Sequence, residues 1–192
     1  EQPPAERAAS CNRLLARSIN FGNMLDHARE GMAGPMLRDE FIVLTAQAGF
    51  TAIRLPVRWD ARAGVQPPYR IAPDFFERVD GVVQLALKHK LAIVLDMHHY
   101  ANMMLEPSAE RERFLSVWRQ VAEHYRDAPP TVLFEVLNEP NRELTRERWN
   151  EALASAGGSA VGIETQRERA MSEAAAFALR IDVAEELSRL SA

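Results

Sequence analysis

An α/β fold of the barrel type, with parallel strands joined by crossover helices, is what this sequence predicts, on three observations. Apolar runs begin near Leu14, Thr51, Leu91 and Thr131, at intervals of 37, 40 and 40 residues. An interval of that size holds one strand, one helix and two loops. Between the runs the apolar period changes from two to about 3.6, as parallel strands connected through helices require. Each run also ends on polar groups: Asn20, then Arg54 and Arg58, then His98 and His99, then Asn138 and Glu139. The carboxyl ends of barrel strands are where such folds gather their chemistry.

The first run leads to Ser18 and Asn20, and Leu37, Phe41, Leu44 and Ala48 form the helical stripe after it. The second, Ile53 to Val57, is followed by a stripe of Phe75, Val79, Val82 and Ala86. Pro73 and a capping box from Asp74 to Glu77 are expected to open that helix. After the third run, Phe114, Trp118, Val121 and Tyr125 share one helical face, ahead of the break at Asp127-Ala-Pro-Pro130. The fourth, Thr131-Val-Leu-Phe-Glu-Val-Leu-Asn-Glu-Pro140, suits a buried strand that the proline prevents from continuing. A further helix is expected from near Thr145 through Trp149 and Leu153. Beyond it Ala156-Gly-Gly-Ser159 marks a helix end, 160–163 is at best a short strand, and Gln166 to Leu190 reads as one long alanine-rich helix. The expected organisation is one domain over 1–192, with four βα units over 12–155 and a divergent helical tail over 156–192. This is a truncated, TIM-barrel-like (βα)4 half-barrel.

At 192 residues, 47% hydrophobic and 26% charged, the chain is long enough to bury a good core. Its net charge of −4 and the lack of a basic patch with interleaved aromatics argue against a nucleic-acid partner. No apolar stretch approaches the roughly 20 residues that span a bilayer, so no membrane partner is expected. Glu1-Gln-Pro-Pro4 fits a chain whose signal peptide has been removed, which points to a secreted or periplasmic protein; it fits an arbitrary boundary equally well. Cys11 stands alone, which excludes an internal disulfide and a cysteine-based zinc site.

Strand parity groups the polar residues, because residues two apart share a face. On the second strand Arg54 and Arg58 oppose Ile53, Leu55 and Val57; on the third Val94, Asp96 and His98 oppose Ile93, Leu95 and Met97. On the fourth, Glu135, Leu137 and Glu139 fall together. Arg54, Asp96, His98, Glu135 and Glu139 are therefore expected to line one interior, with Ser18 and Asn20 from the first strand. Burying so many ionisable groups is costly unless they pair, so Arg54 is expected to bridge carboxylates, Asp96 or Glu135 first. Glu139, at the strand tip, suits a general acid, and Asn138 beside it suits a hydrogen-bond donor to a sugar hydroxyl. Trp59 offers an apolar plate for a sugar ring; Tyr100 and Trp149 serve equally as platforms or as packing. Adjacent histidines on a strand point to opposite faces, so no metal site is expected at His98 and His99.

Four segments carry a resemblance: Ile19-Asn20-Phe21-Gly22-Asn23, Ile53-Arg54-Leu55-Pro56 after Gly49-Phe50, Leu95-Asp-Met-His-His-Tyr100, and Asn138-Glu139-Pro140 after Leu-Phe-Glu-Val-Leu. In this order and spacing they resemble glycoside hydrolase family 5, the cellulase family, over roughly residues 12–150. The resemblance implies a TIM barrel and endo-acting, retaining hydrolysis of β-1,4-linked glucan or mannan, with no cofactor. It makes Glu139 the catalytic acid/base, Asn138 its hydrogen-bonding neighbour to the sugar, Arg54 the strand-two arginine, His98 the strand-three histidine and Asn20 a first-strand residue near the substrate. With His99 and Trp59, read from the strand ends, these are the expected substrate-binding residues. The partner it implies is a polysaccharide or oligosaccharide.

The nucleophile of that family comes from a seventh strand, and this sequence carries no Gly-Glu-Phe-Gly-like segment for it. Glu164 is the one conceivable substitute, set against a plainer role in the first turn of the last helix. Four βα units also leave two open sheet edges, which association of two copies about a two-fold axis would cover. Two functional classes follow. One is a β-glucan hydrolase with Glu139 as proton donor. The other is a catalytically silent half-barrel that self-associates and at most binds carbohydrate.

Overall fold

The computed structural model describes residues 12–159, with side chains described as far as 152. The expected tail helix over 166–190, the short strand over 160–163 and Glu164 lie outside the described residues. The described chain runs β1 (Ser18–Asn20), α1 (Asp39–Gln47), β2 (Ala52–Val57), a 3-10 turn (Asp60–Arg62), α2 (Pro73–Lys88), β3 (Ala92–Met97), α3 (Ala101–Leu105), α4 (Pro107–His124), β4 (Val132–Glu135) and α5 (Arg146–Ser159). The strands form one sheet in the order β1-β2-β3-β4, and every pairing is parallel. This is the expected succession of βα units.

The sheet separates an apolar face from a polar one. Ile53, Leu55 and Val57 on β2, with Ile93, Leu95 and Met97 on β3, are wholly buried beneath the helices. Burial of each such side chain stabilises by about 1.5–3 kcal/mol. The register sets Asn20 against Arg54, Pro56 against Asp96, and Asp96 against Glu135, so the polar residues form a row across neighbouring strands. Pro56 is tolerated within β2 because of where its missing N–H would point. Arg54 accepts from Phe21 N and Arg58 N donates to Leu25 O, so this parity of β2 bonds toward β1, and Pro56 meets the gap between Asn20 and Leu25.

The helices cover the apolar face with the stripes expected of them, shifted in detail. In α2, Phe75, Val79, Val82 and Ala86 are buried, joined by Val83. The Asp74 to Glu77 capping box does not form: the cap is Ala72, with no side-chain bond, because Pro73 supplies the first helical residue with its φ already set. Asp74 instead adds a favourable charge to the first turn. In α1 the buried residues are Phe41, Ile42 and Thr45, since the helix begins only at Asp39 and Leu37 packs from the preceding loop. Gly49, at φ +79, ends α1 in the left-handed conformation that a side chain would oppose. In α4 the stripe of Phe114, Trp118 and Val121 is buried with Val117. Trp118 donates from Nε1 to Val136 O at 3.0 Å, which pins the chain where it leaves β4. Among the described residues no helix is long and apolar enough to cross a membrane.

The loop from β1 to α1 is tied down by Glu30. Its carboxylate accepts from Arg78 Nε at 3.0 Å, Arg78 Nη2 at 2.7 Å and Leu37 N at 2.8 Å. Burial works against ionisation of Glu30, but the Arg78 and Leu37 bonds outweigh it and hold the carboxyl below its ordinary value of 4.5. A carboxyl depressed on folding contributes stability above its unfolded value and loses it as the pH falls through the folded one. Glu30→Gln is therefore expected to lower unfolding free energy by about 1–2 kcal/mol at pH 7, and by much less near pH 3. Urea melts at the two pH values check this; an equal loss at both would contradict it.

Candidate active site

Arg54 is the centre of the polar face. From the middle of β2 its guanidinium donates from Nε to Glu135 Oε2 at 2.7 Å, and from Nη1 to Asn20 Oδ1 at 2.9 Å. Its Nη2 is shared among Glu135 Oε1 at 2.7 Å, Asn138 Oδ1 at 3.0 Å and Asp96 Oδ2 at 2.7 Å. The expected bridge is thus present, and it engages both candidate carboxylates at once. The planar fork suits this role, because it can meet one carboxylate on two bonds and still reach others. Burial opposes the charge on Arg54, but the Glu135 bonds and the charges of Asp96, Glu135 and Glu139 hold it firmly protonated.

Asp96 is fully buried in the sheet. Its Oδ2 lies 2.5 Å from His98 Nδ1 as well as 2.7 Å from Arg54, while Oδ1 has no hydrogen-bond partner among the described residues. Burial pushes the Asp96 carboxyl up to about 6; the His98 bond and Arg54 pull it down and the charge of Glu135 adds to the rise. One cation serves two close carboxylates here, and the fully buried Asp96 resists ionisation. The bond to Asp96 also orients the His98 ring, turning its Nε2 toward Asp26, 3.9 Å away.

Parity describes the site only while the ladder lasts. Asp96 and His98 do share a side. Past Glu135, however, Val136 and Leu137 are both buried, and Asn138 rather than Leu137 rejoins Glu135 at Arg54. Asn138 N donates to Met97 O at 3.0 Å, which seats this turn on the end of β3. Glu139 follows at φ +45, a conformation uncommon for a residue with a side chain, and Asn141 Nδ2 donates to its carbonyl at 2.7 Å. Its carboxylate is exposed, near enough to Arg54 for its charge to bear on the guanidinium. A strained, exposed acid beside a partly buried arginine fits a reactive position.

The histidines also depart from expectation. The chain turns after β3, so the His98 and His99 rings lie side by side, 4.6 Å apart at 68°, instead of on opposite faces. His99 is exposed on one side, and the partial shielding of its ring from water, with the neighbouring His98 charge, holds its pKa below the ordinary value.

Trp59 is not a sugar platform. It is wholly buried, 5.5 Å from the rings of both Phe75 and Phe76, because the 3-10 turn after β2 tucks it under α2. Tyr100 is likewise buried and donates to Glu110 at 2.7 Å, and Trp149 packs against the core. One site residue escaped the sequence analysis. Asp26, buried in the β1–α1 loop, accepts from Asn23 N at 3.0 Å and faces the histidines. That loop has no periodicity to place it; the short Asn23 to Asp26 turn is the one local cue.

A family model described as cellulase (glycosyl hydrolase family 5) matches residues 18–170. The chain belongs to this family. This cellulase-family chain is 30% identical over 136 residues to endoglucanase H of Acetivibrio thermocellus, a match covering 71% of this chain and 15% of that protein. The crystal structure of endoglucanase Cel5A from the hyperthermophilic Thermotoga maritima superimposes with a TM-score of 0.79 at 44% identity, covering 84% of this chain and 51% of that one. A structure of the same Thermotoga enzyme in complex with mannotriose superimposes equally well, at 0.79 and 44% identity, again over 84% of this chain and 51% of that one. The chain spans about half the length of these solved glycosyl hydrolase family 5 enzymes and less of the curated relatives. Its parallel sheet with covering helices corresponds to part of a TIM-barrel-like fold.

Proposed function

We propose that the protein acts on O-glycosidic bonds of β-1,4-linked polysaccharide as an endoglucanase-type hydrolase, with Glu139 as general acid/base. The observation that carries this reading is the exposed Glu139 held beside the partly buried Arg54, Asn138 and Glu135, which Arg54 bonds together. A carboxyl so placed can protonate the glycosidic oxygen and then take a proton from the attacking water. Asn138 and Asn20, fixed by Arg54, and His98, fixed by Asp96, are proposed to hydrogen-bond the sugar. His99 lies exposed at the same mouth. The names of the endoglucanase relatives and the mannotriose complex of the Thermotoga enzyme support a glucan or mannan as substrate. Proton transfer between carboxyls, water and sugar needs no cofactor.

The reaction also needs a second carboxylate, about 5–5.5 Å away for retention or about 6.5–9.5 Å for inversion. Asp96 and Glu135 are poor candidates, since both are bonded to Arg54. Release of reducing sugar from soluble β-glucan, lost in Glu139→Gln, tests the proposal.

A second reading is favoured by that engagement of the neighbouring acids: a half-barrel that binds oligosaccharide without cleaving it, and self-associates. Among the described residues the outer edges of β1 and β4 have no paired strand, which makes them natural contact edges for a second copy. Light scattering is expected to give the mass of a dimer. A stable monomer of 21.6 kDa would dispose of self-association.

A further inference from the structure

Asp26, His98 and His99 come together from two separated parts of the chain, and each offers a ligand atom within 4.8 Å of the others. Two features distinguish the cluster from a chance gathering of polar groups. Asp26 is 2% exposed, yet its Oδ1 has no hydrogen-bond partner among the described residues. His98 meets buried Asp96 through Nδ1 at 2.5 Å, which leaves Nε2 facing Asp26 Oδ2 at 3.9 Å. A carboxylate behind a histidine, fixing its tautomer and its direction, is the arrangement that supports histidine ligands of metal ions.

We propose that Asp26, His98 and His99 bind a divalent transition-metal ion of the zinc type. Two imidazoles and one carboxylate suit zinc, and cobalt or nickel in its place, better than magnesium or calcium, which favour oxygen ligands. Tetrahedral bonds of about 2.0–2.1 Å place ligand atoms about 3.3 Å apart. The observed separations of 3.9 Å and up to 4.8 Å therefore need closures of about 0.6 Å to about 1.5 Å. Asp26 and the Asp96-braced His98 have to approach each other by about half an ångström, and His99, being exposed, supplies the larger movement. The exposed side leaves the fourth position to water. His27, its ring 6.0 Å from that of His99, stands beside the site without completing it.

The ion would occupy the histidines that the proposed function gives to sugar. Competition between metal and oligosaccharide rests on that reading; metal binding itself does not. Calorimetric titration of zinc chloride into the chelator-treated protein is expected to show one ion per chain. His99→Ala and Asp26→Asn are each expected to weaken binding at least about tenfold, and His124→Ala to leave it unchanged. Cobalt(II) is expected to give the intense visible absorption of a tetrahedral centre, lost in His99→Ala. Circular dichroism melts establish that each variant is folded; His99, being exposed, keeps the test valid should Asp26→Asn unfold. No binding, or equal binding by wild type and His99→Ala, would overturn the site. Metal binding that leaves cello-oligosaccharide affinity untouched would keep the site and count against the sugar-binding role of the histidines.

Discussion

Arg54→Leu is expected to lower the unfolding free energy by about 3–5 kcal/mol at pH 7, the scale observed when one partner of a buried ion pair is removed. The guanidinium is the cation bonded to both Asp96 and Glu135, and it also holds Asn20 and Asn138. Without it Asp96 stays buried with a charge and little to balance it. Protonation offers a partial escape, because a buried carboxyl prefers neutrality once its cation is gone. The loss should therefore shrink as the pH is lowered toward 5. The double variant Arg54→Leu, Asp96→Asn should recover part of the stability by removing the stranded charge. Arg54→Lys should recover less than its charge suggests, since an ammonium cannot reproduce the two-pronged contact with Glu135. Urea denaturation at pH 7 and pH 5 measures all of these. A wild-type midpoint for Arg54→Leu would mean that the network contributes nothing to folding.

Glu139→Gln should have the opposite profile. The side chain is exposed and the change keeps its size, so stability should stay within about 0.5 kcal/mol of wild type. Sugar cleavage, in contrast, should fall by about 10²–10⁴-fold, the usual contribution of general acid–base catalysis. Cello-oligosaccharide affinity should persist, because the contacts assigned to Asn138, Asn20 and His98 remain. Reducing-sugar assays beside calorimetric binding separate the two quantities. Undiminished cleavage in the variant would remove Glu139 from the chemistry. Binding without any cleavage by the wild-type chain would select the non-hydrolysing reading instead.

These expectations draw on both the sequence and the folded chain, in different measure. Arg54 meeting Asp96 and Glu135 was legible beforehand: the three lie on strands whose alternation is strict, and a lone dependable cation among acids leaves few partners to choose from. The Asp96 contact with His98 follows from the same alternation. Trp59 departs from its expected role because a place one residue beyond an arginine at a strand tip says nothing about which way the next turn folds. The packing of α2 settled it, drawing the ring against Phe75 and Phe76.

The succession of parallel strands and helices among the described residues, the apolar and polar faces of those strands, and the family were all readable from residue pattern and motif, because period and spacing are local properties that a ladder must obey. Where the ladder stops, that constraint stops with it. Asn138 takes the place beside Glu135 that alternation assigned to Leu137, His98 and His99 stand ring to ring, and Asp26 arrives from a loop without periodicity. Those positions depend on contacts between distant segments, such as Asn138 N on Met97 O and Trp118 Nε1 on Val136 O, which come into being only when helices and strands pack together.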